Sequence, residues 1–117
     1  MTAVVQTLSN IEDVEAVVAQ SHQKPVMIFK HSTDCQISAS ANRAWEEFLA
    51  SPEAERVTPV FVRVIEDSQA SQALSDRIKV KHQSPQAILV QNGKVLWHDA
   101  HWGITPVVLK AVLTRIK

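Results

Sequence analysis

Val26-Met27-Ile28-Phe29-Lys30-His31-Ser32-Thr33-Asp34-Cys35-Gln36-Ile37-Ser38 is the stretch on which the reading of this chain turns. It opens with an apolar run, Val26 to Phe29, bounded by Pro25 and Lys30, which is short enough to suit a buried strand rather than a helix. Beyond it, Ile37, Ala41, Ala44, Trp45 and Phe48 recur at helical spacing, while Gln36, Asn42, Arg43, Glu46 and Glu47 occupy the opposite face. The only cysteine, Cys35, therefore falls where a strand hands over to the start of an amphipathic helix. A helix start presents unpaired N–H groups and the positive end of the macrodipole, which stabilise a thiolate relative to a thiol. Nucleophilic sulfur chemistry is the first candidate.

Composition limits what that thiol can belong to. With 117 residues, 45% of them hydrophobic, the chain suits one domain, residues 1–117, with an ordinary core. Lys+Arg 12 balance Asp+Glu 12, and no basic tail or stripe is present, so neither nucleic acid nor an anionic membrane surface is an expected partner. There is no secretory pattern at the N-terminus and no apolar stretch near the roughly 20 residues of a membrane span, so a soluble, cytoplasmic protein is expected. A lone cysteine excludes an intramolecular disulfide and the paired-cysteine zinc and dithiol motifs.

Elsewhere the signals are ordinary. Ser9 and Glu12 have the spacing of a capping box, ahead of Ile11, Val14, Val17 and Val18, and predict a helix over about residues 10–21. The Val4-Val5 pair before it fits a short edge strand or an extended lead-in. Ser51-Pro52 ends the second helix and opens a loop over 52–57. Residues 60–65, Val-Phe-Val-Arg-Val-Ile, suit a central strand covered on both faces. Asp67 or Ser68 caps a third helix carrying Ala70, Ala73, Leu74 and Ile78. Ala87–Val90 and Lys94–Trp97 flank Asn92-Gly93, a tight hairpin turn. Thr105-Pro106 starts a last helix carrying Val108, Leu109, Val112, Leu113 and Ile116.

The order (strand)-helix-strand-helix-strand-helix-strand-strand-helix resembles the thioredoxin fold: an α/β domain with a mixed central sheet of four to five strands, a C-terminal β-hairpin and four flanking helices. More narrowly, Phe29-Lys30-His31-Ser32-Thr33-Asp34-Cys35-Gln36-Ile37-Ser38, with Ser84-Pro85-Gln86 and Asn92-Gly93-Lys94, is similar to the YtxJ-type monothiol bacilliredoxins, whose active-site run is Thr-x-Cys-Pro-Ile-Ser. The resemblance implies a thiol-disulfide oxidoreductase with Cys35 as nucleophile and Pro85 as a cis-proline facing it. It implies Thr33, Asp34, Gln36, Ile37 and Ser84 as substrate contacts. It further implies bacillithiol as co-substrate with no bound cofactor, and S-thiolated client proteins as partners. Gln36 stands where the family usually has proline, a residue that pre-sets φ at the first helical turn.

Spacing alone carries part of the mechanism. The position of a resolving cysteine, three residues after Cys35, holds Ser38, which can hydrogen-bond a thiolate but cannot close a disulfide. Such a protein can take a small thiol onto itself and release it to a second small thiol. The carboxylates of bacillithiol would suit helix-start N–H groups or a nearby cation, with Lys30 and Arg77 as candidates. Asp34 opposes the helix end in setting the thiol pKa, so the net direction stays open. A lone cysteine can equally be a small buried hydrophobe. His31, His82, His98 and His101 match no standard zinc spacing, and no metal site is assigned. Trp97 and Trp102 read as core or lid aromatics. The alternatives to the oxidoreductase are a thioredoxin-like binding module without turnover and a glutathione-dependent glutaredoxin-like protein. The latter lacks the glycine of the Cys-Gly-Phe-Ser type of cluster-binding site.

Overall fold

The computed structural model describes residues 5–32 and 36–117, the side chains of residues 36–38 excepted. Its strands are β1 (Gln6–Thr7), β2 (Val26–His31), β3 (Thr58–Arg63), β4 (Gln86–Gln91) and β5 (Lys94–Ala100). Its helices are α1 (Ile11–Gln20), α2 (Gln36–Leu49), α3 (Ser68–Ile78) and α4 (Pro106–Ala111), with 3-10 turns at Pro52–Arg56, His101–Gly103 and Val112–Arg115. The strands form one mixed sheet in the order β1-β3-β2-β4-β5. β2 runs parallel to β3 and antiparallel to β4, so the strand that leads toward Cys35 is the middle one.

A middle strand between two helical layers is buried on both faces, and side-chain alternation sorts its residues between them. Met27 and Phe29 enter the core built with α2 and α4, beside Trp45, Phe48, Leu89, Leu109 and Leu113. Val26 and Ile28 enter the other core, with Val14, Val17, Val18, Val60, Leu74 and Ile88 from α1, β3, α3 and β4. Trp45 stacks on Phe29 at 5.3 Å and on Phe48 at 6.0 Å. Contacts of that kind contribute about 0.5–1.5 kcal/mol each beyond area burial. They fix α2 against the sheet.

Several boundaries differ from those expected. The edge strand among the described residues is Gln6–Thr7, with Val5 just before it and Val4 outside the described residues; it pairs at Gln6↔Val60 and Thr7↔Phe61 and is extended by Leu8 N–H donating to the Phe61 carbonyl at 2.9 Å. Both β1 side chains are exposed, so no alternation marked it. The capping box of α1 is Asn10 with Asp13, not Ser9 with Glu12. Asn10 Oδ1 accepts from Asp13 N–H at 3.0 Å, and the Asp13 carboxylate reaches back to the N–H groups of Ser9 and Asn10 at 2.9 and 3.2 Å. The expected loop at 52–57 winds into a 3-10 turn over Pro52–Arg56, since proline suits the first turn. β3 begins at Thr58 and ends at Arg63. Pro59 is tolerated because β1 pairs only with Val60 and Phe61.

Other local signals hold. Asn92 and Gly93 adopt positive φ, 54° and 74°, and their turn docks on α1: Asn92 N–H donates to the Ser21 carbonyl at 2.8 Å and Gly93 N–H to Ser21 Oγ at 2.9 Å. Thr105 Oγ1 caps α4 by accepting from Val108 N–H at 3.2 Å. Asp67 precedes α3 without a side-chain cap, because its carboxylate accepts from Arg63 Nε at 2.8 Å instead.

Lys79 ends α3 in the left-handed region, φ 60°, a position that favours glycine. The left-handed strain is worth about 1–2 kcal/mol, offset partly by the extra freedom of glycine in the unfolded chain. Lys79→Gly should therefore raise stability by about 0.5–1 kcal/mol, read as a higher urea midpoint at unchanged slope.

Candidate active site

The site lies at the C-terminal end of β2. His31 closes that strand half-buried, its ring 5.9 Å from Phe29 and 5.8 Å from Phe61 on the α2 side of the sheet. α2 is described from Gln36, the residue that follows Cys35 in the chain. Thr33, Asp34 and Cys35 lie outside the described residues, as do the side chains of Gln36, Ile37 and Ser38. The expected neighbourhood of Cys35 and Pro85 falls with them.

Ser84 and Pro85 are described, and their peptide bond is cis, as the resemblance implied. Gln86 pairs with Lys30, so the Ser84–Pro85 step adjoins the end of β2 from which the chain departs toward Cys35. Pro85 is buried, and its carbonyl accepts from His101 N–H at 3.1 Å. His101 itself has φ 56°, and in the same turn Trp102 is 68% exposed, an apolar surface beside the proline loop. Trp97 packs against the α2 core and is not a lid. Ser84 Oγ is buried and has no hydrogen-bond partner among the described residues. Gln86 is fully buried, and its Nε2 donates to the Lys81 carbonyl at 3.0 Å, closing the loop before the proline.

The two cations proposed for an anionic co-substrate differ in access. Arg77 is exposed and pairs with Glu15 of α1 at 2.7 Å. Lys30 continues the Val26 and Ile28 face of β2 and is wholly buried under α3. Its Nζ lies 3.1 Å from the Ser71 carbonyl, 2.6 Å from Ser75 Oγ and 3.1 Å from His82 Nδ1. Alternation in β2 was the available signal: Lys30 occupies an inward position of a strand covered on both sides. Its partners are 41 to 52 residues away in sequence and left no local mark.

Burial lowers the Lys30 pKa to about 8 from the ordinary 10.5, against the opposing pull of Asp76. His82 is lowered as well, by burial first and by the charge of Lys30 second. Below pH 8 the buried lysine is charged in both the folded and unfolded chains, and folding carries the full desolvation cost. Above 10.5 it is neutral in both and the cost is gone. Stability should therefore rise as pH increases from about 8 to 10.5, by about 3 kcal/mol at most. Urea midpoints at the two ends of that window, compared with Lys30→Met, isolate the effect: the rise should be absent in the variant.

A sequence model of the family described as monothiol bacilliredoxin BrxC matches residues 6–109, a span that includes Cys35, Ser84 and Pro85. A solved structure described as a candidate oxidoreductase with a thioredoxin fold is similar at 30% identity and TM-score 0.80, covering 94% of each chain. The thioredoxin of Malassezia sympodialis aligns at 22% identity and TM-score 0.76, over 98% of this chain and 93% of its own. That of Trypanosoma brucei brucei aligns at 19% and TM-score 0.76, over 99% and 93%. The two thioredoxins speak to fold alone. On the extent of the family match, this thioredoxin-fold chain belongs to the monothiol bacilliredoxin family.

Proposed function

We propose that the chain is a monothiol thiol-disulfide oxidoreductase that removes bacillithiol from mixed disulfides on client proteins in the cytoplasm, with Cys35 as nucleophile. The observation that carries this reading is the Lys30↔Gln86 register, which sets the Ser84–Pro85 step against the end of the strand leading to the only cysteine. Family membership supports it. The Cys35 thiolate attacks the bacillithiol sulfur of the client mixed disulfide. The client leaves as a thiolate, and Cys35 carries bacillithiol as a new mixed disulfide. A second bacillithiol thiolate then attacks the bacillithiol sulfur, giving bacillithiol disulfide and free Cys35. Ser38 offers the thiolate a hydrogen bond, and Ser84 and Pro85, with Thr33, Asp34, Gln36 and Ile37, contact the substrate. Exposed Trp102 adds apolar surface for the client beside the proline. Gln36 at the start of α2 brings an N–H group where the family carries proline.

Incubation with a bacillithiolated client, followed by intact-mass spectrometry, should show the adduct moving from client to protein. Cys35→Ala should leave the client modified. Ser38→Ala should still transfer, slowed by no more than about tenfold, the worth of one hydrogen bond. Transfer without Cys35 would overturn the mechanism. No uptake from either bacillithiol or glutathione clients would point to a binding module, and Gln36→Pro would then show whether that one residue silences the site.

A further inference from the structure

The loop that presents Ser84–Pro85 has no secondary structure of its own between Lys79 and Gln86, and side chains hold it from beneath. Val80 N–H donates to the Ser75 carbonyl at 3.1 Å and Gln86 Nε2 to the Lys81 carbonyl at 3.0 Å. Val80 packs in the core that holds Val26 and Ile28, and the one hydrogen bond from the described loop side chains to the central strand is His82 Nδ1 to Lys30 Nζ at 3.1 Å, with Ser71 Oγ 3.5 Å from the same nitrogen. An ammonium has three protons, and here it meets three acceptors on two other elements: the Ser71 carbonyl and Ser75 Oγ of α3, and His82 of the loop. Nδ1 can accept only from a neutral imidazole whose proton sits on Nε2.

We propose that Lys30 is a positioning residue for the proline loop, its buried ammonium clamping His82 to α3 and to β2, and that the clamp opens when His82 takes up a proton. A protonated His82 turns an N–H toward Nζ, so two like charges face each other where one charge was fully satisfied. A deprotonated Lys30 does not open it: the amine still donates to the Ser71 carbonyl and to His82 and accepts from Ser75 Oγ. The other charged groups around the cluster are Asp76 on α3 and Lys79 and Lys81 in the loop, which line a surface depression of about 480 Å³ with His82. The neighbours of Lys30 on the adjacent strands, Val62 and Gln86, carry no charge. Solvent protons reach His82 through that depression. Both shifts agree with a cluster that holds one positive charge: burial lowers both groups, and the charge of Lys30 lowers His82 further.

The inference deepens the functional reading and rests on it for its kinetic consequence only. The test uses the whole chain and the variants Lys30→Met, His82→Ala and His82→Asn, the last of which keeps an acceptor near the Nδ1 position without titrating. Amide exchange over residues 80–86 should quicken by about tenfold in Lys30→Met and His82→Ala while β2 and β4 stay protected, and His82→Asn should restore protection. An imidazole nitrogen titration should show the His82 pKa rising in Lys30→Met. Client transfer should fall in kcat/KM by about tenfold in the two disruptive variants, with Cys35 alkylation by iodoacetamide changed less than about twofold. It should also fall on acidification through the His82 titration in the wild type, and lose that step in His82→Asn. Unchanged loop exchange and an unchanged His82 pKa in Lys30→Met would overturn the clamp. If Lys30→Met does not fold, the His82→Ala and His82→Asn pair decides it. Should the wild type take up no adduct at all, the functional reading falls, and the clamp stands or falls on exchange and titration.

Discussion

Placing β2 in the middle of the sheet, with helices on both faces, is the constraint on which the rest of this structure depends. Val26, Met27, Ile28 and Phe29 each lose all contact with solvent, and their alternation feeds two separate cores. Full burial of such side chains contributes about 1.5–3 kcal/mol each, so this strand anchors the fold far more firmly than either edge. Both helical layers are assembled against it. Because β2 is fixed, the point at which the chain leaves the sheet toward Cys35 is fixed as well.

The same constraint makes Lys30 conspicuous. The next inward position of a doubly covered strand carries an ammonium, in a place where a methionine of similar length would avoid the desolvation cost. The cost is contained because α3 arrives with the Ser71 carbonyl and Ser75 Oγ and the following loop arrives with His82. The lysine thus trades stability for a specific geometry between the central strand, one helix and the segment that turns into Ser84–Pro85. On the opposite face the equivalent job is done by rings: Trp45 on Phe29, and His31 between Phe29 and Phe61. One face of β2 holds α2 in place and the other holds the proline loop.

The β4–β5 side completes the arrangement. The hairpin turn at Asn92-Gly93 is tied to Ser21 at the end of α1, and the far end of β5 returns to Pro85 through His101 N–H. The hairpin is therefore braced at both ends, by α1 at one and by the proline loop at the other. Trp102 is left exposed next to that second brace because His101, in the left-handed region, turns the chain out of the strand.

What the amino-acid sequence by itself determined was whatever depends on neighbours a few residues away. The apolar run Val26–Phe29, the helical spacing from Ala41 to Phe48, the Asn92-Gly93 turn and the Thr105-Pro106 cap all act locally, and each element formed where its signal stood. The family run around Cys35 and Ser84-Pro85 was legible for the same reason, as short motifs in a fixed order. Tertiary structure decided the rest. β1 exists only because Phe61 and Val60 offer an edge to Gln6 and Thr7, two residues with no pattern of their own. Arg77 went to Glu15, 62 residues away, because charged groups choose partners by distance in space. Lys30, read from the sequence as a candidate cation for a ligand carboxylate, became a buried clamp because its partners lie 41 to 52 residues away, and only the packing of α3 on the sheet brings them within hydrogen-bond reach.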